Sequence, residues 1–420
     1  MTSRERLSET LNHRQPDKVV VDMGSSLATG ISAIALSKLR DALGLEKRPV
    51  KIFDPMQMLG LVEDDVLEAL KLDVVGVWPL QSTLGYTNEN WKPWRFRDID
   101  FLIGDGFEYD TDESGALLAY PCGDRSVAPS MKMPDGGYYF DSIVRQEVID
   151  ENNQNGKEDF KNDYAPASDD VVAYMKQEAT RLFDTTSYGI TLGHFRGGIG
   201  DVAVIPGPSQ RVTKGIRSAE EWLVAHYTMP GYIHDVYEYQ TDSAIDTFKR
   251  LAEALGDIPQ VVQISGTDFG TQRSEFISPA MYREFYQPYH AKINAWIHEN
   301  TSWKTMYHCC GSIVNLLGDL ADAGVDVLNP VQCSAAGMDP EMLKVKFGDK
   351  FVFWGGGVET QGVLQLGSAQ EVKKEVMKRL EIFAPGGGFV FNTVHNIQPL
   401  TPVENILAVF ESIEEYNAKV

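Results

Sequence analysis

From Gln260 to Tyr416 short apolar runs alternate with amphipathic stretches, and that alternation restricts the chain to very few folds. The runs Gln260–Ile264, Lys304–His308, Val325–Asn329, Phe351–Trp354 and Phe389–Asn392 are of strand length. They are rich in β-branched and aromatic residues, as buried strands are. Between them lie helical patterns. One opens at Ser278-Pro279, with serine as N-cap and proline at the first position. Others run from Ile313 to Ala323, ended by Gly324, and over Pro340–Phe347, Ala369–Phe383 and Val403–Tyr416. Strands alternating with helices give a parallel sheet.

The same rhythm is present earlier in the chain. A helix is expected over Arg4–Asn12, a strand over Val19–Met23, a helix over Ser32–Leu43, a helix over Val62–Leu70 and a strand over Asp73–Val77. Beyond residue 170 a helix to Phe183, a strand at Gly189–Leu192 and helices over much of Ser218–Leu255 are expected. The fold class is therefore α/β, a single (β/α)8 barrel over residues 1–420. An open doubly wound sheet has less support, because no G-x-G-x-x-G follows an early strand. Residues 85–170 break the rhythm. They are rich in Trp, Tyr, Gly, Asp and Asn, with turn signals at Asp105-Gly106, Asp135-Gly136 and Asn155-Gly156. They read as inserted β-hairpins and loops ending in a polar linker over 151–170, either capping a pocket or decorating the surface.

Charge and composition exclude several classes of function. With 38 Lys and Arg against 60 Asp and Glu, the net charge is −22, which disfavours nucleic acid as a partner. No apolar run approaches the ~20 residues of a membrane span, and the N-terminus does not read as a signal peptide. Four cysteines, three of them between positions 309 and 333, fit a metal or catalytic cluster better than a disulfide framework. A cytoplasmic enzyme is the expectation.

In a parallel barrel the chemistry lies at the C-terminal strand ends. Asp268, His308, Cys310, Cys333, Glu359 and His395 follow strands there and form the candidate site. His308-Cys309-Cys310-Gly311-Ser312 is the sharpest signal among them. Alternation along a strand puts His308 and Cys310 on one face, about 6.5 Å apart at ~3.3 Å per residue, and turns Cys309 toward the outer helices. An imidazole and a thiolate so placed suit zinc, whose catalytic sites need three protein ligands and an open position. His395 is the first choice for a third ligand and Cys333 the second. The alternative is a buried His and Cys satisfied by neighbouring strands. Asp268 and Glu359 are candidates for an acid or an orienting carboxylate, or for structural hydrogen bonds at strand ends. His226, His234, His290 and His298 fall in helical stretches and read as packing or surface residues, whereas His194 follows a strand and could face the site. The runs Gly355–Gly357 and Gly386–Gly388 lack the context of a phosphate cradle and imply close backbone approach.

Several stretches carry a resemblance to a known family. They are Gly266–Gln272, His308–Ser312, Ala323–Pro330, Pro399–Asn405 and the opening Arg4–Asp17. Here the chain resembles the uroporphyrinogen decarboxylase-like superfamily, in particular its cobalamin-dependent methyltransferase branch. The likeness covers both ends but not the middle insertion. In the methylcobalamin:thiol methyltransferases of that branch an H-x-C pair and a later cysteine hold a catalytic zinc. The resemblance implies that role for His308 and Cys310, and it sets His395 where the later cysteine stands. Decarboxylases of the family also have a histidine there, but they carry an R-Q-A-G-R motif for porphyrin carboxylates. This chain has Asp22-Met23-Gly24-Ser25-Ser26 in the corresponding place, without arginine.

The resemblance implies a zinc-dependent methyltransferase acting on a small methylated substrate or a thiol. The chain has no D-x-H-x-x-G motif, so the corrinoid would be carried by a partner protein. The aromatic residues Trp91, Trp94, Tyr138, Tyr139 and Phe140 of the insertion favour a methoxylated aromatic, as in an O-demethylase. The competing function is a metal-free decarboxylase or lyase on the same barrel, using Asp268 and His395.

Overall fold

The computed structural model of the chain describes residues 1–147, 149, 155–193 and 198–419. Eight parallel strands form its central sheet: β1 (Val20–Val21), β2 (Val74–Val77), β3 (Gly189–Leu192), β4 (Val261–Ser265), β5 (Lys304–His308), β6 (Val327–Asn329), β7 (Val352–Trp354) and β8 (Phe389–Phe391). The strands follow one another around the sheet, with β1 joined to β8 at Val20↔Val390 and Val21↔Phe391. The edges formed by β1 and β2 meet where the Asp73 amide donates to the Val21 carbonyl at 2.8 Å. The result is a nearly closed (β/α)8 barrel, as the β-α rhythm requires.

Strand alternation divides the buried residues into two clusters. Val20, Val74, Val261, Met306, Val327, Val352, Trp354 and Val390 form one cluster inside the barrel, together with Leu7 and Leu11. Their sequence neighbours Val21, Val75, Val262, Tyr307, Leu328, Phe353, Phe389 and Phe391 belong to the larger cluster outside it, which includes residues of the surrounding helices. The helix Ser3–Leu11, capped by Thr2 in a capping box with Glu5, supplies Leu7 and Leu11 to the interior. A Cβ on Gly189 would meet Leu7 Cδ2 at 2.4 Å, so glycine at the start of β3 makes room for the leucine.

The insertion is more ordered than hairpins and loops alone. Tyr109–Thr111, Leu117–Ala119, Met131–Met133 and Asp141–Ser142 make one antiparallel four-stranded sheet. Lys92–Phe96 and Ile99–Ile103 form a hairpin whose second strand pairs in parallel with Val50–Asp54, a strand the local pattern did not reveal. The polar linker expected before residue 170 contains the short helix Gly156–Phe160, and the next helix starts at Asp169. Among the described residues no helix is long and apolar enough to cross a membrane.

Candidate active site

Two residues above the apolar layer, the barrel interior turns polar. Asp22, Gln263, His308, Asn329 and Asn392 follow Val20, Val261, Met306, Val327 and Val390 on the same strand faces, and all five are buried. Such polar groups are tolerated inside a core only when paired, and most of them are. Asp22 accepts from Ser25 Oγ at 2.8 Å and from Trp354 Nε1 at 2.9 Å. Burial still pushes its carboxyl up to about 6. Asn392 Nδ2 donates to the Asp22 carbonyl at 3.0 Å.

At the upper rim the ligand atoms of His308, Cys310 and His395 all lie within 4.8 Å of one another. His308 Nε2 is 3.5 Å from Cys310 Sγ, and the two imidazole rings meet edge-on with centroids 5.6 Å apart. Tetrahedral zinc at its usual bond lengths separates a nitrogen from a sulfur by roughly 3.6 Å. His308 Nδ1 donates to Asn329 Oδ1 at 2.6 Å, while Asn329 Nδ2 is committed to the Trp354 carbonyl at 2.9 Å. The anchored amide presents its oxygen to His308, fixing the tautomer that leaves the Nε2 lone pair free. Burial, reinforced by the adjacent His308, drives His395 down to about 3, so its ring is neutral, the form that binds metals. Burial and the Asp268 carboxylate raise the Cys310 thiol well above its ordinary range. A divalent cation bound here would reverse that preference and hold the thiolate. The donor set fits zinc.

Cys309 faces the other way, as strand alternation requires. It is packed among the outer core residues, and its sulfur accepts from the Phe269 amide at 3.2 Å. The loop after β4 and the loop after β5 touch here. A Cβ on Gly270 would lie 2.5 Å from the Cys310 carbonyl oxygen, and Gly311 sits at φ +88° with Gly270 at its open side. Glycine on both sides lets the Asp268 carboxylate reach the Cys310 amide, from which it accepts at 2.6 Å. Asp268 also lies 3.9 Å from His308 Nε2, with its side chain 46% exposed.

Two other expected site residues lie apart from the three-residue group. Cys333, the second choice for a third ligand, turns its sulfur to the Val331 carbonyl at 3.5 Å, and burial pushes its thiol up to about 12. The loop after β6 folds back on itself at that point, which is why its cysteine is not brought to the cluster. Glu359 accepts a short hydrogen bond from Ser334 Oγ and another from the Gln361 amide at 3.3 Å.

The helical histidines are packing or surface residues. His226 is buried between the Trp222 carbonyl and the Tyr237 and Tyr286 hydroxyls. Burial lowers His290 to about 3, His234 meets the Tyr289 hydroxyl, and His298 pairs with Asp326 at 2.7 Å. His194 lies outside the described residues. The close-approach reading of the glycine runs fits the structure: a Cβ on Gly356 would meet the Val331 carbonyl at 2.7 Å, and one on Gly387 the Arg14 carbonyl at 2.2 Å.

Two of the five aromatic residues of the insertion, Trp94 and Phe140, need correcting. Trp94 stacks on Phe96 and meets Phe107 edge-on, and Phe140 packs on Phe107, so these rings build the insertion's own core rather than a substrate wall. Trp91 lies beside Lys51 and Tyr138 beside Arg97. Tyr139 alone of the five bonds to the site's own loop, its hydroxyl donating to Gln398, three residues beyond His395. Sequence reasoning also missed Asp201, on the loop after β3. Burial, with Asp268 nearby, raises its carboxyl to about 7. It lies in a glycine-rich loop without a motif to mark it.

The fold and the site together define a parallel (β/α)8 barrel with a His/Cys/His donor group at the C-terminal ends of its strands. Residues 208–416 match the family "Uroporphyrinogen decarboxylase (URO-D)". A methylcobamide:CoM methyltransferase of Methanosarcina barkeri is 26% identical over 227 residues, 52% of this chain and 60% of that protein. A uroporphyrinogen decarboxylase of Coxiella burnetii is 21% identical over 263 residues, 60% of this chain and 66% of that protein. The chain thus spans about three fifths of the length of these curated relatives. Over 99% of both chains its fold resembles that of a methyltransferase from Methanosarcina mazei, with a TM-score of 0.55 at 16% identity. Over residues 208–416 the chain is thus similar to the uroporphyrinogen decarboxylase family, and over its whole length it has the same kind of barrel as the methyltransferase.

Proposed function

We propose that the protein is a zinc-dependent methyltransferase. It moves a methyl group between a small methylated substrate or a thiol and a corrinoid carried by a partner protein. The observation that carries this reading is the convergence of His308, Cys310 and His395 within 4.8 Å on the face where barrel enzymes do chemistry. The methyltransferase relatives support it. Bound by these three residues, zinc would supply Lewis acidity toward a substrate oxygen, or hold a thiol as thiolate.

The remaining steps fall to the protein's own side chains. Asn329 holds the His308 ring in its ligating tautomer. Asp268, tied to the Cys310 amide yet open to the mouth, is placed to orient the substrate or pass it a proton. A methyl ether losing its methyl group keeps the C–O electron pair on oxygen, which must then take up a proton. Glu359, held by Ser334, is the second candidate for an orienting carboxylate. We place the protein in the cytoplasm, since its four cysteines are free. With a net charge of −22 we assign it no nucleic-acid partner.

Two spectrophotometric assays with free cobalamin test the reading. One supplies cob(I)alamin with a methoxylated aromatic, the other methylcobalamin with a thiol. Zinc-dependent change in the cobalamin spectrum in either assay, abolished in Cys310→Ser, is the expected result. Silence in both, together with carbon dioxide release from a carboxylated substrate that survives removal of zinc, would instead identify a metal-free decarboxylase.

A further inference from the structure

The two histidines of the donor group are held in different ways. The His308 ring is oriented directly, through the bond between Nδ1 and Asn329. Among the described residues, no hydrogen bond reaches the His395 ring. A ligand needs its direction fixed all the same, and where no partner grips the ring that direction comes from the backbone. The His395 carbonyl accepts from Thr393 Oγ1 at 2.5 Å, which settles one side of the residue.

The other side is settled by the next residue. Asn396 is 3% exposed, and its side-chain amide bonds in three directions. Oδ1 accepts from the Gly30 amide at 2.6 Å, while Nδ2 donates to the Leu27 carbonyl at 2.7 Å and to Gln57 Oε1 at 2.8 Å. Leu27 and Gly30 lie on the loop after β1, and Gln57 in the turn after Val50–Asp54. Gln57 Nε2 in turn donates to the Leu27 carbonyl at 3.1 Å, so the two anchors are tied to each other as well. One side chain thus fastens the loop after β8 to two other segments. It does so at the peptide bond that His395 shares, and the Asn396 carbonyl accepts from Gln398 Nε2 at 2.8 Å.

We propose that Asn396 is a positioning residue for the third ligand. It aims His395 at the His308/Cys310 pair through the backbone, as Asn329 aims His308 through the ring. That role rests on the reading of His308, Cys310 and His395 as a metal centre, and adds to it the residue that directs the third donor. Asn396 touches neither metal nor substrate, so its whole effect on the centre passes through His395. Without its amide all three ligands remain in the chain, but His395 is free to turn away, and a donor displaced by a fraction of an ångström binds poorly.

A double-mutant cycle on the full chain tests this, with zinc affinity read by competition with a chromophoric chelator. Asn396→Ala should weaken zinc binding about 10-fold. In a His395→Ala background the same substitution should change affinity less than about twofold, because the group it acts through is gone. Loading with Co2+ gives a second readout. The visible bands of the Asn396→Ala cobalt protein should move toward those of His395→Ala, whereas a merely structural residue would leave them in place. Should Asn396→Ala fail to fold, Gln57→Ala, which removes one of the bonds to Asn396, goes through the same cycle with a loss of about 3-fold expected. Equal losses in the two backgrounds, or wild-type zinc affinity and cobalt bands in folded Asn396→Ala, would overturn the proposal. Failure of the metal reading looks different and takes the proposal with it: the wild type binds no zinc, or His395→Ala binds it as tightly as the wild type. An intact cycle with both cobalamin assays silent would support the role of Asn396 and count against methyl transfer alone.

Discussion

The lower and upper halves of the barrel interior are built from the same strands, on the same faces, two residues apart. Below, valines and Met306 close against Leu7 and Leu11 of the N-terminal helix. Above, the corresponding positions hold Asp22, Gln263, His308, Asn329 and Asn392. The backbone is common to both, so the difference lies entirely in what the side chains do. The lower layer removes apolar surface from water and holds the barrel together. The upper layer keeps polar groups buried at a cost in stability, partly offset by hydrogen bonds such as Asn329 to His308 and Trp354 to Asp22. Substitutions should therefore separate cleanly, with stability lost below and metal binding lost above.

The largest effect is expected at the bottom. Leu7→Ala removes a fully buried side chain from a closed layer and should destabilise the fold by about 2–5 kcal/mol, measured from denaturant midpoints, while zinc content per folded chain stays unchanged. Loss of zinc in that variant would mean that the two layers are not separable. In the upper layer, Asn329→Leu takes away the acceptor that orients His308. It should weaken zinc binding by roughly 10- to 100-fold in competition with a chromophoric chelator.

The next effect depends on pH. The Asp22 carboxyl is raised from 3.8 to about 6 in the folded protein, so between these values the native state binds more protons than the unfolded chain. Its contribution to stability is therefore greatest below about pH 4, declines as pH rises to about 6, and is level above that. Over this window the wild type should lose about 3 kcal/mol relative to Asp22→Asn. Parallel pH profiles for the two proteins would show that Asp22 does not titrate in the fold. The smallest effect is assigned to Cys333→Ser, whose sulfur faces the Val331 carbonyl. It should shift zinc affinity less than twofold, and a large drop would return Cys333 to the ligand set.

Much of this contrast was legible in the sequence. The alternation Val20-Val21-Asp22, Met306-Tyr307-His308, Val327-Leu328-Asn329 and Val390-Phe391-Asn392 already separates interior from exterior and apolar from polar. Strands β3 and β5 match the expected spans, and most others differ by one or two residues at their ends, where pairing rather than composition sets the limit. The strand Val50–Asp54 escaped because it pairs with Ile99–Ile103, nearly fifty residues away, and carries little local signal. Trp94 and Phe140 were misread because composition does not distinguish a ring packed in a small core from one lining a pocket. His395 ranked first and Cys333 second as a third ligand, and of the two His395 is the one that lies with His308 and Cys310. Asp201 and Asn396 depend on contacts between neighbouring strands and loops, and no motif records those.

The most direct measurement is zinc per chain by elemental analysis, on wild type and on Cys310→Ser, both purified without added metal and then offered one equivalent. The account predicts about one zinc in the wild type and none retained by the variant, with the two proteins equally folded. A wild type that takes up no zinc, or a Cys310→Ser protein that holds it as well as the wild type, would contradict the account.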